Sequence, residues 1–155
     1  MKYLISGCLA NQAVRYDGKA YYYEKIQELI QQKQAITVCP EILGGLSTPR
    51  EPAEIVGGLA EDVFNGSAKI KTTLDEDVTS AFIEGAYKTL KIAQLHQVEI
   101  VVLKENSPSC GRHFVYDGHF SGQKNSGQGL TAYLLIKHGF HVISEQEFLE
   151  NLSEL

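Results

Sequence analysis

Short aliphatic runs that stop at glycine, proline or polar residues are the feature that most constrains how this chain can fold. The runs are Lys2–Ser6, Ala35–Cys39, Glu99–Leu103 and His141–Ile143. Consecutive apolar residues without polar alternation are typical of strands that are buried on both faces. The runs therefore predict a mostly parallel sheet of about four strands.

Patterns of helical period separate these runs. The first covers residues 22–33, the second covers residues 78–93, and the third begins at Leu130 and ends at Gly139. A short surface helix is predicted from Glu145 onward. Strands that alternate with helices predict an α/β fold whose parallel strands are joined by right-handed crossovers.

Two dipeptides predict small β-hairpins at the rim of the sheet. One turn is predicted at Asn65-Gly66, and the other at Asp117-Gly118, where it would join residues 114–116 to residues 119–120. Both dipeptides suit a type I′ turn, which needs positive φ at both central residues. We expect the hairpins to form small flaps beside the main sheet.

Length and net charge limit the number of domains and the kinds of partner that this chain can have. Its 155 residues match the roughly 100–200 residues of one domain, so we expect a single domain over residues 1–155. The formal net charge of -5 argues against a phosphate-backbone binder, which would carry a basic stripe. No apolar stretch approaches the about 20 residues of a membrane helix. We expect neither nucleic acid nor a membrane as a partner.

The three cysteines, Cys8, Cys39 and Cys110, indicate the compartment. An odd number cannot pair completely within the chain, and no Cys-x-x-Cys spacing is present. The apolar run between Lys2 and Cys8 is too short for the roughly 7–15 apolar residues of a signal peptide. We therefore expect reduced thiols in the cytoplasm.

Each cysteine follows the carboxyl end of a predicted strand. Cys8 lies just beyond the first strand, Cys39 closes the second, and Cys110 lies in the loop after the third. The carboxyl ends of parallel strands share one edge of the sheet, and ligands bind in the crevice outside that edge. The three thiols are therefore expected to converge on one site.

The chemistry of such a site stays open at this level. Three thiolates could hold an iron–sulfur cluster with one iron left open as a Lewis acid. Zinc bound by three cysteines and a histidine is a competitor, and His113 is the histidine best placed to complete that set. A metal-free enzyme with one nucleophilic cysteine is a third hypothesis, and a non-catalytic binding module is a fourth.

Five blocks of sequence carry a resemblance to a known family and extend over nearly the whole chain. They are Ser6–Leu9 with Val14–Gly18; Val38–Glu41 with Gly44–Leu46 and Pro49–Glu54; Asp77–Thr79 with Phe82 and Gly85-Ala86; Leu103-Lys104 with Ser107–Gly111; and Gly127–Ala132. In this order the blocks resemble the bacterial DUF523 family, which includes the thiouracil desulfurases.

The resemblance implies a Rossmann-like three-layer α/β domain that holds a [4Fe–4S] cluster on Cys8, Cys39 and Cys110. It further implies an enzyme whose open iron takes the sulfur of a small thiolated base. Water would replace that sulfur at carbon and give the oxo-base and hydrogen sulfide without net redox change. Some members carry an additional C-terminal domain, which we do not expect here.

Hydrolytic desulfuration needs groups that activate water, protonate the leaving sulfur and orient the ring. Candidate catalytic residues are Glu41, Asp17 and Ser107, and candidate substrate-binding residues are Asn106, Ser109 and Arg15. Each also has an ordinary interpretation as a turn, cap or ion-pair residue. Arg50 is expected to form an internal ion pair, and Ser126 is expected to cap the helix that follows it.

Overall fold

The computed structural model describes residues 2–151. Within this range the strands and helices follow one another in this order: β1 Tyr3–Ser6, a 3-10 turn Gly7–Ala10, α1 Glu24–Gln31, β2 Ala35–Val38, α2 Pro40–Leu43, β3 Ala53–Val56, α3 Ala60–Asn65, β4 Lys69–Thr72, α4 Thr79–Leu95, β5 Ile100–Leu103, β6 Phe114–Tyr116, β7 Lys124–Ser126, α5 Leu130–Lys137, β8 His141–Ser144 and α6 Glu145–Asn151.

The central sheet has four parallel strands in the order β2-β1-β5-β8. All four strands predicted from the aliphatic runs are confirmed. In the register of the sheet, Leu4 on β1 is paired with Ile36 on β2 and with Val101 on β5. Strand β2 lies on one side of β1, and the later strands β5 and β8 lie on its other side. The strand order therefore reverses between β1 and β5, which is where ligands bind in open α/β sheets.

Helices cover both faces of this sheet, so the predicted three-layer α/β sandwich is confirmed. Successive strand residues point to opposite faces: Leu4 belongs to the core under α4 and α5, whereas Ile5 belongs to the core under α1 and α6. Phe82 of α4 anchors the first core and Phe148 of α6 the second. The helix predicted from Glu145 is α6, and its predicted continuation over residues 152–155 lies outside the described residues.

The hairpin predicted at Asn65-Gly66 is wrong. Asn65 ends α3, and Gly66, at φ +91°, is the C-cap whose N–H is directed to the carbonyls of Asp62 and Val63. Left-handed glycine closes helices as readily as it closes hairpins, so the dipeptide alone could not separate the two. An antiparallel pair does form in this region, but between β3 and β4 on either side of α3.

The hairpin predicted at Asp117-Gly118 exists with a longer loop. Strand β6 pairs with β7, not with residues 119–120, and the Asp117 N–H donates to the Gln123 carbonyl at 2.9 Å. The Asp117 carboxylate accepts hydrogen bonds from the His119 N–H and the Ser121 hydroxyl. Aspartate thus stabilises a wide turn with its side chain instead of a two-residue turn with its backbone.

Candidate active site

The three cysteines converge as predicted from their positions after the strands. Cys8 lies in the 3-10 turn after β1, Cys39 directly follows β2, and Cys110 lies in the loop after β5. All three line one cavity of about 550 Å³. They are free thiols rather than half-cystines. The site therefore lies at the carboxyl edge of the sheet, across the point where the strand order reverses.

Close helix packing fixes the position of Cys39. It is the N-cap of α2, and Pro40 occupies the first helical position, where its missing N–H costs nothing. Helix α2 packs on α4 at Gly85, where a Cβ would lie 1.9 Å from the Pro40 carbonyl oxygen. Any larger residue at position 85 would force α2, whose N-cap is Cys39, away from α4.

The Cys110 loop is held by the start of α5 and by Ser107. The N–H groups of Leu130 and Thr131 donate to the carbonyls of Pro108 and Ser109, so these helix-terminal donors are already used by the loop. The Ser107 hydroxyl oxygen accepts hydrogen bonds from the Ser109 and Cys110 N–H groups at 3.0 and 2.7 Å. Helix α5 begins after Gly129, so the prediction that Ser126 caps it is wrong, because Ser126 ends β7.

Glu105 connects the two ends of the same loop. Its Oε1 accepts hydrogen bonds from the backbone N–H groups of Asn106, Arg112, His113 and Phe114 at 2.6–3.3 Å. Hydrogen bonds to an ionised carboxylate are stronger than those between neutral groups. One carboxylate therefore sets the path of the backbone on both sides of Cys110.

The environment of the thiols disfavours a free thiolate nucleophile. Burial, reinforced by the neighbouring Cys39, raises the pKa of Cys8 to about 12. Burial also raises the pKa values of Cys39 and Cys110. A buried thiol of this kind loses its proton less readily than an exposed one, and metal binding, which requires the thiolate, would release that proton.

The donor set at the cavity fits an iron–sulfur group better than a zinc ion. His113 does not join the thiols: its Nε2 lies 2.6 Å from Glu147 Oε1, and its ring lines a different cavity. Within residues 2–151, no three His, Cys, Asp or Glu side chains are grouped closely enough to hold a single ion. Three soft sulfur donors spread around one cavity suit a group with several irons.

Glu41 is the carboxylate nearest in sequence to the thiols that reaches this cavity. Its side chain is 16% exposed, and the Arg50 Nε lies 3.3 Å from its Oε1. Burial raises the pKa of Glu41, and Arg50 opposes that shift. Arg50 also donates to the carbonyls of Val14 and Ser47, so the expected internal ion pair of Arg50 exists and orients the Glu41 carboxylate.

Arg15 lines the cavity, whereas Asp17 does not. Asp17 accepts a hydrogen bond from the Lys19 N–H and lies 3.4 Å from the Arg15 guanidinium. The Arg15 guanidinium also lies over the rings of Tyr16 and Tyr21 and donates to the Tyr21 hydroxyl. This geometry makes Asp17 a turn residue that supports Arg15, and it argues against Asp17 as the group that activates water.

The three polar candidates beside Cys110 have different surroundings. Ser107 and Asn106 line the cavity. Ser109 is 1% exposed, and its hydroxyl lies 3.1 Å from the Thr131 hydroxyl. Ser109 thus supports the cysteine loop from behind, and its geometry argues against direct contact with a substrate.

Other cavity residues were not among the predicted site residues. They are Tyr21, Glu54, Lys104, Tyr116 and Phe120. Only Lys104 carried a signal, because it directly follows a predicted strand. Tyr21 lies in the loop before α1, and Glu54, Tyr116 and Phe120 belong to β3 and to the β6–β7 hairpin, whose contact with the cavity the sequence did not indicate.

These features define an α/β protein with a three-thiol ligand site at the switch point of a parallel sheet. The sequence profile described as "2-thiouracil desulfurase" matches residues 3–147, and the chain belongs to this enzyme family. It is 55% identical over 144 residues to the uncharacterised protein YbbK of Bacillus subtilis strain 168, covering 93% of this chain and 95% of YbbK.

A solved structure supports the same assignment. It is that of the [4Fe-4S]-dependent thiouracil desulfidase TudS, a DUF523 protein, at a TM-score of 0.85 and 36% identity. The match covers 99% of both chains. The resemblance to the DUF523 family is therefore confirmed. In the part of the chain that the structure describes, no helix is long and apolar enough to cross a membrane.

Proposed function

We propose that this protein removes sulfur from a small thiolated base of the 2-thiouracil type and releases the oxo-base and hydrogen sulfide. The observation that carries the proposal is the convergence of Cys8, Cys39 and Cys110 on one cavity. These thiolates would hold a [4Fe–4S] cluster. When bound, the cluster would supply a Lewis-acidic iron for the substrate sulfur. Free thiols of this kind also support a cytoplasmic location.

Glu41 is the proposed general base. Water adds to the carbon of the C=S group, the carbon–sulfur bond breaks, and sulfur leaves as hydrogen sulfide, so no electrons are gained or lost overall. A carboxylate with a raised pKa can take a proton from water and return it to the leaving sulfur. Arg50 fixes the orientation of that carboxylate.

Ser107 and Asn106 are the proposed partners of the substrate ring. The Ser107 oxygen already accepts two backbone N–H groups, so its own proton is left to donate toward the cavity. The Asn106 side chain makes no hydrogen bond to another described residue, and it offers both a donor and an acceptor. An amide of this kind matches the alternating N–H and C=O edge of a pyrimidine.

Arg15 is the proposed third substrate contact. Its position over two tyrosine rings restricts the guanidinium before any ligand arrives, which lowers the entropy lost on binding. It can donate to an oxygen on the substrate while it keeps its contact with Asp17.

The test is sulfide release by protein that has been purified without oxygen and reconstituted with iron and sulfide. With 2-thiouracil, the wild-type protein should release one hydrogen sulfide for each uracil formed, and the Cys39→Ala variant should release none. Full sulfide release by Cys39→Ala would refute the proposal. Activity of iron-free protein that is blocked by alkylation of one cysteine would support a metal-free thiol enzyme instead.

A further inference from the structure

The cavity has a side that comes from neither the parallel sheet nor its cysteine turns. Pro52, Ala53, Glu54, Tyr116, Phe120 and Gly122 form this side, which we call the hairpin wall. Its members belong to the β3 region and to the β6–β7 hairpin. None of them is a proposed cluster ligand or the proposed general base, so the reaction proposed above gives the hairpin wall no role.

Glu54 connects the two parts of the hairpin wall. Its side chain is on β3 and is buried, with 8% of the residue exposed. Its Oε1 accepts hydrogen bonds from the Gly118 N–H at 2.9 Å and the Phe120 N–H at 3.3 Å. These bonds fix residues 118–120 beside the cavity.

The backbone of the β6–β7 loop is built for close approach to β3. Gly118 has φ +87°, and a Cβ there would lie 2.4 Å from the Ile55 carbonyl oxygen. Asp117 holds the remainder of the loop through its bonds to His119 and Ser121. The loop therefore has a defined conformation and packs directly against β3.

Phe120 occupies an unfavourable conformation at the centre of this loop. Its φ is +53°, in the left-handed region that bulky residues rarely adopt. A strained conformation of this kind persists only where its surroundings enforce it, and such residues cluster at ligand sites. Here the Glu54 carboxylate and the packing of Gly118 supply that enforcement.

The strain at Phe120 does not serve core packing. Phe120 is 39% exposed, whereas the core residue Phe82 is 2% exposed. Phe120 belongs to neither hydrophobic core, and its side chain lines the cavity. Part of this aromatic residue is thus accessible to a ligand that enters the cavity.

We propose that Phe120 is the residue on which the planar ring of the substrate stacks, and that Glu54 is the positioning residue that holds Phe120 for this contact. The proposal rests on the function proposed above. Stacking tolerates many planar rings because every base has a π-face. The hairpin wall therefore selects for flat heteroaromatic thioamides, while the thiol side of the cavity carries the reaction.

A tryptophan at position 120 tests the contact directly, because the chain contains no tryptophan. In reconstituted Phe120→Trp protein, uracil and 2-thiouracil should quench the single indole to saturation. Leu95→Trp is the matched control, since Leu95 is 78% exposed at the far end of α4 and should report only optical absorption by the ligand. Equal quenching in both variants would overturn the stacking proposal.

Kinetics separate binding from chemistry. Phe120→Ala should raise KM for 2-thiouracil by about 5- to 100-fold, the usual effect of losing one stacked aromatic, and should leave kcat within about threefold. Phe120→Tyr should restore KM, and Phe114→Ala in the same hairpin should leave KM unchanged. An unchanged KM in Phe120→Ala would contradict the proposal.

The role of Glu54 is tested by rescue. Glu54→Gln keeps an oxygen that can accept both N–H groups, so its KM should stay close to wild type. Glu54→Ala loses the acceptor, and its KM should approach that of Phe120→Ala. If Glu54→Gln were as impaired as Glu54→Ala, the positioning role would be wrong.

The readouts keep this proposal distinct from the proposed function. Saturable quenching by uracil in Phe120→Trp needs no turnover, so it would support the stacking site even if the wild-type protein released no sulfide. Sulfide release with normal KM in Phe120→Ala would instead uphold the desulfurase and overturn the stacking role.

Discussion

The cavity is bounded by two regions that are built in different ways. The sheet side carries Cys8 and Cys39 directly after β1 and β2 and Cys110 in the longer loop after β5, and the parallel register of those strands places all three at one edge of the sheet. The hairpin wall is instead held together chiefly by the two backbone hydrogen bonds that the Glu54 side chain accepts. The difference suggests that the sheet topology brings the reacting groups to one edge, while the hairpin wall, which lies outside that sheet, selects the substrate.

The largest effect should come from removing a sulfur ligand on the sheet side. Cys39→Ser should lose bound iron and all measurable sulfide release, because a hydroxyl is a harder and weaker ligand than a thiolate. Iron content and sulfide release from anaerobically reconstituted protein check this. Phe120→Ala, on the hairpin wall, should keep its iron. Equal iron loss in both variants would break the contrast between the two regions.

The second prediction separates catalysis from cofactor binding among the residues on the sheet side of the cavity. Glu41→Gln should keep its iron but lower kcat by about 10²- to 10⁴-fold, the usual contribution of a general acid–base residue. The control is Glu51→Gln, whose exposed carboxylate accepts a hydrogen bond from Thr73 and does not line the cavity. Near-normal kcat in Glu41→Gln would move the water-activating role to another group.

The third effect concerns the thiols of the iron-free protein. Burial raises the pKa of Cys8 to about 12. Only the thiolate is alkylated, so this raised pKa should slow iodoacetamide labelling of folded Cys8 at pH 8 by up to about 10³-fold relative to an exposed thiol. Mass spectrometry of folded and urea-unfolded protein gives the ratio. Rapid labelling of one cysteine in the folded protein would favour the metal-free nucleophile.

The smallest effect should come from Arg15, which contacts the cavity from a loop of its own. Arg15→Ala should raise KM about tenfold, the value of one hydrogen bond to a charged group, with kcat and iron content unchanged. Arg112→Ala is the matched control, because the Arg112 Nε donates to the Val142 carbonyl and its side chain lines a different cavity. A lower kcat with normal KM would place Arg15 in the chemistry rather than in binding.

The same contrast explains what could be predicted from the sequence. Strands buried on both faces leave continuous aliphatic runs, so the parallel sheet and the convergence of the cysteines could both be predicted. The hairpin wall was predicted only in part: Asp117-Gly118 marked the hairpin after β6 but not its long loop, and Asn65-Gly66 ends a helix instead of joining two strands. Phe120 and Glu54 were missed for that reason, since a long-range carboxylate–amide contact has no local pattern.

Among the site residues, the sequence identified residue types better than orientations. Glu41, Ser107, Asn106 and Arg15 do line the cavity, whereas Ser109 and Asp17 are turned to structural partners. Adjacent loop residues point in different directions, and only the three-dimensional path of the loop decides which of them reach the cavity. That path is set by Glu105, whose bonds to Arg112 and His113 no sequence pattern indicates.

The most direct test of the central claim is the content of iron and acid-labile sulfide in anaerobically reconstituted protein. The wild-type protein should bind about four of each per chain, as a [4Fe–4S] cluster requires, with broad visible absorption. A variant in which Cys8, Cys39 and Cys110 are all replaced by serine should bind none. A wild-type protein that binds no stable iron, or that binds zinc instead, would contradict the account.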